Sequence, residues 1–252
     1  MGSKFNCLFL LVVSASLLQG AFLGNAKFLG FSEDGAYAAL EEYWIADGSG
    51  FPGAEITVMN VKENRVLENF TIQWTEEMMY SDEPAALPED GENPALVLVR
   101  EQSAHLLDSL GISRRSSCVH CVSHPLTDTG ADPLSVSFVT WVGSPMYMGP
   151  EYRVEIENHE TSPPNPPEWL SMFDTPVLLE VSVYNDQGEM IMHDSDDGFR
   201  EGFEYVSNYR IRDVYVQEGR IALILNTTEP GFEGPDGLFR MVTGVISPNK
   251  GI

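Results

Sequence analysis

Phe28-Leu-Gly-Phe-Ser-Glu-Asp-Gly-Ala-Tyr-Ala-Ala-Leu-Glu-Glu-Tyr-Trp-Ile45 reads as strand, turn, strand. Its centre, Asp34-Gly35, is a strong hairpin signal, because a two-residue turn needs positive φ and glycine adopts it without steric cost. Alternation resumes in Ala54-Glu-Ile-Thr-Val-Met-Asn-Val61. Glu63-Asn64 then turns the chain into Arg65-Val-Leu-Glu-Asn-Phe-Thr-Ile72. Four such runs joined by short turns predict an antiparallel meander. The same plan recurs near the other end. Glu33-Asp-Gly-Ala-Tyr-Ala-Ala-Leu, Gly50-Phe-Pro-Gly53 and Ile56-Thr-Val-Met59 are echoed by Gln217-Glu-Gly-Arg-Ile-Ala-Leu-Ile, Gly231-Phe-Glu-Gly234 and Leu238-Phe-Arg-Met241. Each copy is a hairpin turn, an apolar strand, a Gly-Phe-x-Gly loop and a return strand. Two copies are too few for a propeller, which takes at least about four blades.

Between the copies, the acidic stretch Ser81 to Asn93 reads as a surface loop. Asn93 caps a helix with Pro94 at its first position; Leu96, Val99, Leu106, Leu107 and Leu110 share a face, and Gly111 ends it. Ser113 to Asp132 reads as a polar segment. Strands follow at Leu134 to Val142, Tyr152 to His159, Val177 to Tyr184 and Glu189 to His193, then Tyr209 to Val216, Arg220 to Asn226 and Leu238 to Ile246. Thr161-Ser-Pro-Pro-Asn-Pro-Pro167 is a stiff polyproline connector. The expected fold is mainly β (α+β): antiparallel meanders resembling propeller-like blades or a sandwich, with one main helix. Residues 27–252 are expected to form one β-rich extracytoplasmic domain, with 27–111 and 134–252 as candidate halves.

The 252 residues carry 14 basic and 38 acidic side chains, a net charge of −24. Counterion release at nucleic acid needs clustered Lys and Arg, so this balance argues against DNA or RNA as partner, and equally against anionic lipid. At the start, Lys4 precedes the 12-residue apolar run Cys7 to Leu18, too short to span a bilayer. Gly24-Asn25-Ala26 supplies small residues at a cleavage site. The layout predicts a signal peptide over 1–26, Lys27 as the mature N-terminus, a secreted or periplasmic product, and no integral membrane segment after cleavage.

Leu29-Gly-Phe-Ser-Glu-Asp-Gly-Ala-Tyr with Glu41-Glu-Tyr, Asp47-Gly-Ser-Gly-Phe-Pro52, Tyr209-Arg-Ile-Arg-Asp-Val and Pro230-Gly-Phe-Glu-Gly-Pro-Asp236 resembles the bacterial predicted secreted proteins of domain-of-unknown-function family 2259. The likeness runs from about Lys27 to Gly244. It implies export and a bacterial source, and it brings no activity and no catalytic residues. Cys118 to Cys121 lies outside the family pattern.

Cys118-Val-His120-Cys121-Val-Ser-His124 is the densest chemical constellation: two thiols and two imidazoles within seven residues. These ligand types suit zinc or copper. A local disulfide, favoured in an oxidising compartment, idle thiols or a redox pair are the alternatives. Gly48-Ser-Gly50-Phe-Pro-Gly53 matches a dinucleotide fingerprint only as a string, because a strand follows where a helix N-terminus would have to hold the pyrophosphate. Asp194-Ser-Asp196-Asp197-Gly198 reads as a solvated acidic turn. Tyr43, Trp44, Asp47, Phe51, Phe232, Glu233 and Asp236 lie in or beside the echoed loops and are candidate ligand or partner contacts, with core packing as the alternative for the aromatics. No catalytic residue is assigned, since no nucleophile elbow, P-loop or zinc-protease helix occurs. The expected function is a non-enzymatic binding or interaction module for an envelope protein or small ligand. The alternative is a zinc- or copper-binding protein or hydrolase using the Cys118–His124 segment.

Overall fold

The computed structural model describes residues 24–46, 49–80, 91–112, 118–125, 127–144, 147–198, 205–231 and 235–246. β1 (Asn25–Phe31), β2 (Tyr37–Ile45), β3 (Pro52–Asn60) and β4 (Arg65–Gln73) form the expected antiparallel meander in sequence order. Gly35 at φ 67° and Asn64 at φ 47° turn the chain where the sequence places them. β6 (Ser135–Ser144), β7 (Tyr147–Glu160), β8 (Val177–Asn185) and β9 (Met190–Ser195) make a second four-stranded meander, the outer sheet. The central sheet is less regular. β5 (Val119–Ser123), β10 (Asn208–Gln217) and β11 (Arg220–Pro230) pair in that order, β13 (Phe239–Val245) flanks β11, and the two-residue β12 (Pro235–Asp236) pairs with the end of β11.

Two α-helices accompany the sheets among the described residues, the short α1 (Glu76–Tyr80) and the main α2 (Pro94–Ser109), with a 3-10 turn at Glu168–Met172. Asn93 caps α2, its Oδ1 accepting from the N–H groups of Ala95 (2.9 Å) and Leu96 (3.2 Å). Ala95, Leu96 and Val99 bury their side chains against Ala54, Ile56 and Val58 of the meander. Arg100 fastens the helix to the sheet, gripping the buried Glu41 carboxylate through Nε (2.6 Å) and Nη2 (2.8 Å) and reaching Glu92 as well.

The order of layers is α2, meander, central sheet, outer sheet. Strand alternation shows why. Along β11, Ile221, Leu223 and Leu225 join the core shared with the outer sheet, while Ala222 and Ile224 join the core shared with the meander. A strand covered on both faces has no position for a polar side chain, hence the unbroken run Ile221-Ala-Leu-Ile-Leu225. In the meander the same parity holds: Ala38, Leu40 and Met59 face the central sheet, and Ala39, Ile56 and Val58 face α2.

The sequence echo is therefore spatial. Ala38 and Ala222, Leu40 and Ile224, Met59 and Met241 are equivalent positions of the two copies, and all six meet in one cluster. The copies stack face to face with their turns together, as Arg220 Nη2 donates to the Asp34 carbonyl and Gln217 Nε2 to the Ser32 carbonyl, both at 3.2 Å. At the opposite end the Gly24 N–H donates to the Gly237 carbonyl at 2.9 Å.

Two features depart from the sequence reading. The polar stretch Ser113 to Asp132 contains β5, held as a strand by its pairing with β10, a non-local partner that its mixed composition does not announce. The Asp194–Gly198 segment is not a solvated turn. Asp194 accepts from Asn64 Nδ2 at 2.7 Å, and the Asp196 carboxylate, 3% exposed, forms a bidentate pair with Arg240 at 2.7 and 2.8 Å. Asn64 Oδ1 also accepts from the Thr243 N–H at 2.8 Å, so this one turn residue ties all three sheets. Thr161 to Pro167 contributes no strand, in keeping with its prolines.

Candidate functional site

β2 and β11 both leave the stacked sheets at the end away from the turns, at Ile45 and Pro230, so the strand ends that flank the two echoed loops lie at one end of the molecule. Tyr43 and Phe51 are half-buried there, packing on the helix-side core. Trp44 lies flat against Gly53, where a Cβ would come within 2.3 Å of the indole. Its Nε1–H donates to Gln73 Oε1 at 2.9 Å, and its carbonyl accepts from Asn93 Nδ2 at 3.1 Å. The aromatic rim is thus braced from β3, β4 and the cap of α2. Asp47, Phe232 and Glu233 lie outside the described residues.

Behind the rim stand carboxylates that only strand register reveals. Glu42 is directly opposite Glu55 on β3, and Glu229 is directly opposite Asp236 on β12. Opposed carboxylates repel when both are ionised. Burial, followed by the field of Glu55, pushes the Glu42 pKa well above the usual carboxylate range; the Phe239 backbone N–H and the Arg212 charge oppose that rise. Glu55 accepts hydroxyl donors from Thr57 (3.0 Å) and Thr71 (2.8 Å). Arg212 is the nearby cation, stacked 4.6 Å over the Phe239 ring and paired with Asp213 at 3.1 Å. Of this group the sequence singles out only Asp236.

The Cys118–His124 constellation is dispersed. Three positions apart along the chain at β5, Cys118 faces the core between meander and central sheet, and Cys121 faces the core between central and outer sheets. Among the described residues no disulfide joins the two. Burial, and then the neighbouring Cys118, pushes the Cys121 thiol up to about 11, which disfavours the thiolate that metal binding and redox chemistry require. His120 stacks on Tyr215 at 4.4 Å and places Nε2 2.9 Å from Asp213 Oδ1. The His124 backbone N–H donates to the Arg212 carbonyl at 2.6 Å, and the residue lines a cavity of about 10 Å³ with Pro125, Asp128 and Arg210, room for about one water. Among the described residues the group of three ligating side chains whose donor atoms converge within 4.8 Å is a different one, Glu157, His159 and Glu180 on the outer sheet. Sequence reasoning misses it because two strands contribute.

The fold and this end together define a β-layered scaffold carrying an acidic, aromatic-rimmed loop face. The chain belongs to the family described as predicted secreted protein (DUF2259), whose model matches residues 39–244. No match is found among curated proteins. No helix among the described residues is long and apolar enough to cross a membrane.

Proposed function

We propose that the protein is exported by way of its N-terminal leader and acts as a binding module whose loop end engages a positively charged ligand or partner segment. The observation that carries this reading is the face-to-face stacking of the two echoed units, which delivers the Tyr43, Trp44 and Phe51 rim and the Glu42–Glu55 and Glu229–Asp236 pairs to one end. A cation arriving there meets carboxylates drawn from both copies, and half-buried aromatic rings offer it their π faces. A formal charge of −24 steers cationic partners toward the molecule as a whole.

Site-specific photo-cross-linking tests the reading. A photoreactive residue at Ser49 or Gly231 should trap a lysine-rich peptide, and the same probe at Gln187, in the β8–β9 turn, should not. Equal labelling from all three positions, or labelling from Gln187 alone, removes the loop end as the binding face.

A further inference from the structure

On the solvent face of the outer sheet, Glu157 of β7 stands directly opposite Glu180 of β8. Two opposed carboxylates are an unfavourable cross-strand pair. The partners that come within ion-pair reach of them are imidazoles. His159 Nε2 lies 2.9 Å from Glu180 Oε2 and 3.8 Å from Glu157 Oε2, and His193 Nδ1, from β9, lies 3.9 Å from Glu180 Oε1. Arg153, on the same strand face, is engaged elsewhere, with Glu155 at 3.0 Å and the Tyr184 ring at 4.8 Å. The chain has five histidines, and two of them flank this one carboxylate.

We infer that Glu157, His159, Glu180 and His193 form a binding site for a divalent zinc-class cation on the outer sheet. Ligand atoms about 2.0–2.1 Å from a tetrahedral zinc stand about 3.3 Å apart. The separations of 2.9 and 3.8 Å bracket that figure, so small side-chain rotations bring His159, Glu180 and Glu157 onto one ion. His193, whose Nδ1 stands 3.9 Å from the other Glu180 oxygen, lies outside the converging three and reaches the ion by a larger side-chain rotation. Two imidazoles with two carboxylates suit zinc and its neighbours in the first transition row better than calcium or magnesium, which select oxygen. The four side chains stand on three adjacent strands of one rigid sheet, which fixes their spacing before the metal arrives. Zinc also removes the Glu157–Glu180 repulsion, so binding and sheet stability rise together.

Calorimetric titration of the full exported protein with Zn²⁺ tests this, alongside the His159→Ala/His193→Ala double variant, Glu180→Gln and Cys118→Ser/Cys121→Ser. All the outer-sheet positions are at the surface, and circular dichroism checks that each variant folds. One equivalent should bind to the wild type. The histidine variant should weaken binding about tenfold or more, the loss that disturbing even an outer-shell group brings. Glu180→Gln should weaken it too, and the cysteine variant should leave it unchanged. Co²⁺ should give a d–d spectrum without thiolate charge transfer. Absence of binding in the wild type, unchanged affinity in the histidine variant, or loss in the cysteine variant overturns the assignment. The loop-end reading is tested by different residues and survives either result.

Discussion

Glu42 carries the clearest chemistry at the level of a single residue. A carboxyl whose pKa is raised in the native state holds its proton more tightly folded than unfolded. Below the ordinary glutamate range this costs nothing. As pH climbs through the raised native pKa, the buried group must ionise beside Glu55, and stability falls. Glu42→Gln keeps an acceptor for the Phe239 N–H and has no proton to lose. Urea melts should find it equal to the wild type near the acid end and more stable at alkaline pH. A variant less stable at alkaline pH would mean that Arg212 holds the ionised form, the opposite sign. Asp196 shows the contrasting solution: equally buried, it stays paired with Arg240, whose guanidinium also donates to Tyr209 Oη at 3.2 Å.

Among the elements, α2 is the most completely readable from sequence. Asn-Pro at its start, the spacing of Leu96 and Val99, and Gly111 at φ 67° all act locally, so each is visible without knowing the partner sheet. Asn93 does more than its cap role requires, because its Nδ2 bonds the carbonyls of Trp44 (3.1 Å) and Gly53 (3.4 Å). Asn93→Ala should therefore cost stability at the upper end of the usual range, about 2 kcal/mol, measured by urea denaturation. A cost of a few tenths would show that only the cap matters. β5 lies at the other extreme: five residues of mixed polarity become a strand because Val122 pairs with Val214 on β10. Nothing local selects that partner.

For the whole molecule, the excess of 38 acidic over 14 basic groups is a spread self-repulsion acting against compaction. The ion pairs that hold the layers, Arg240–Asp196 and Arg100–Glu41, each bury a carboxylate and are little screened. Added NaCl shortens the Debye length from about 30 Å at 0.01 M to about 3 Å at 1 M. It should thus weaken repulsion more than attraction, and calorimetry should record a rising Tm. A falling Tm would place the net electrostatic contribution on the attractive side.

By itself the amino-acid order determined the mainly β class, the two hairpin-bearing copies, the capped helix and the acidic character, because period-two alternation, turn residues and capping are all short-range. It also pointed to family membership. The face each strand turned to which neighbour, the dispersal of Cys118 and Cys121 to opposite sides of the central sheet, and the meeting of Glu157, His159 and Glu180 were decided only in three dimensions. Those outcomes depend on register between strands up to about a hundred residues apart, and a one-residue slip would send every one of those side chains to the other face.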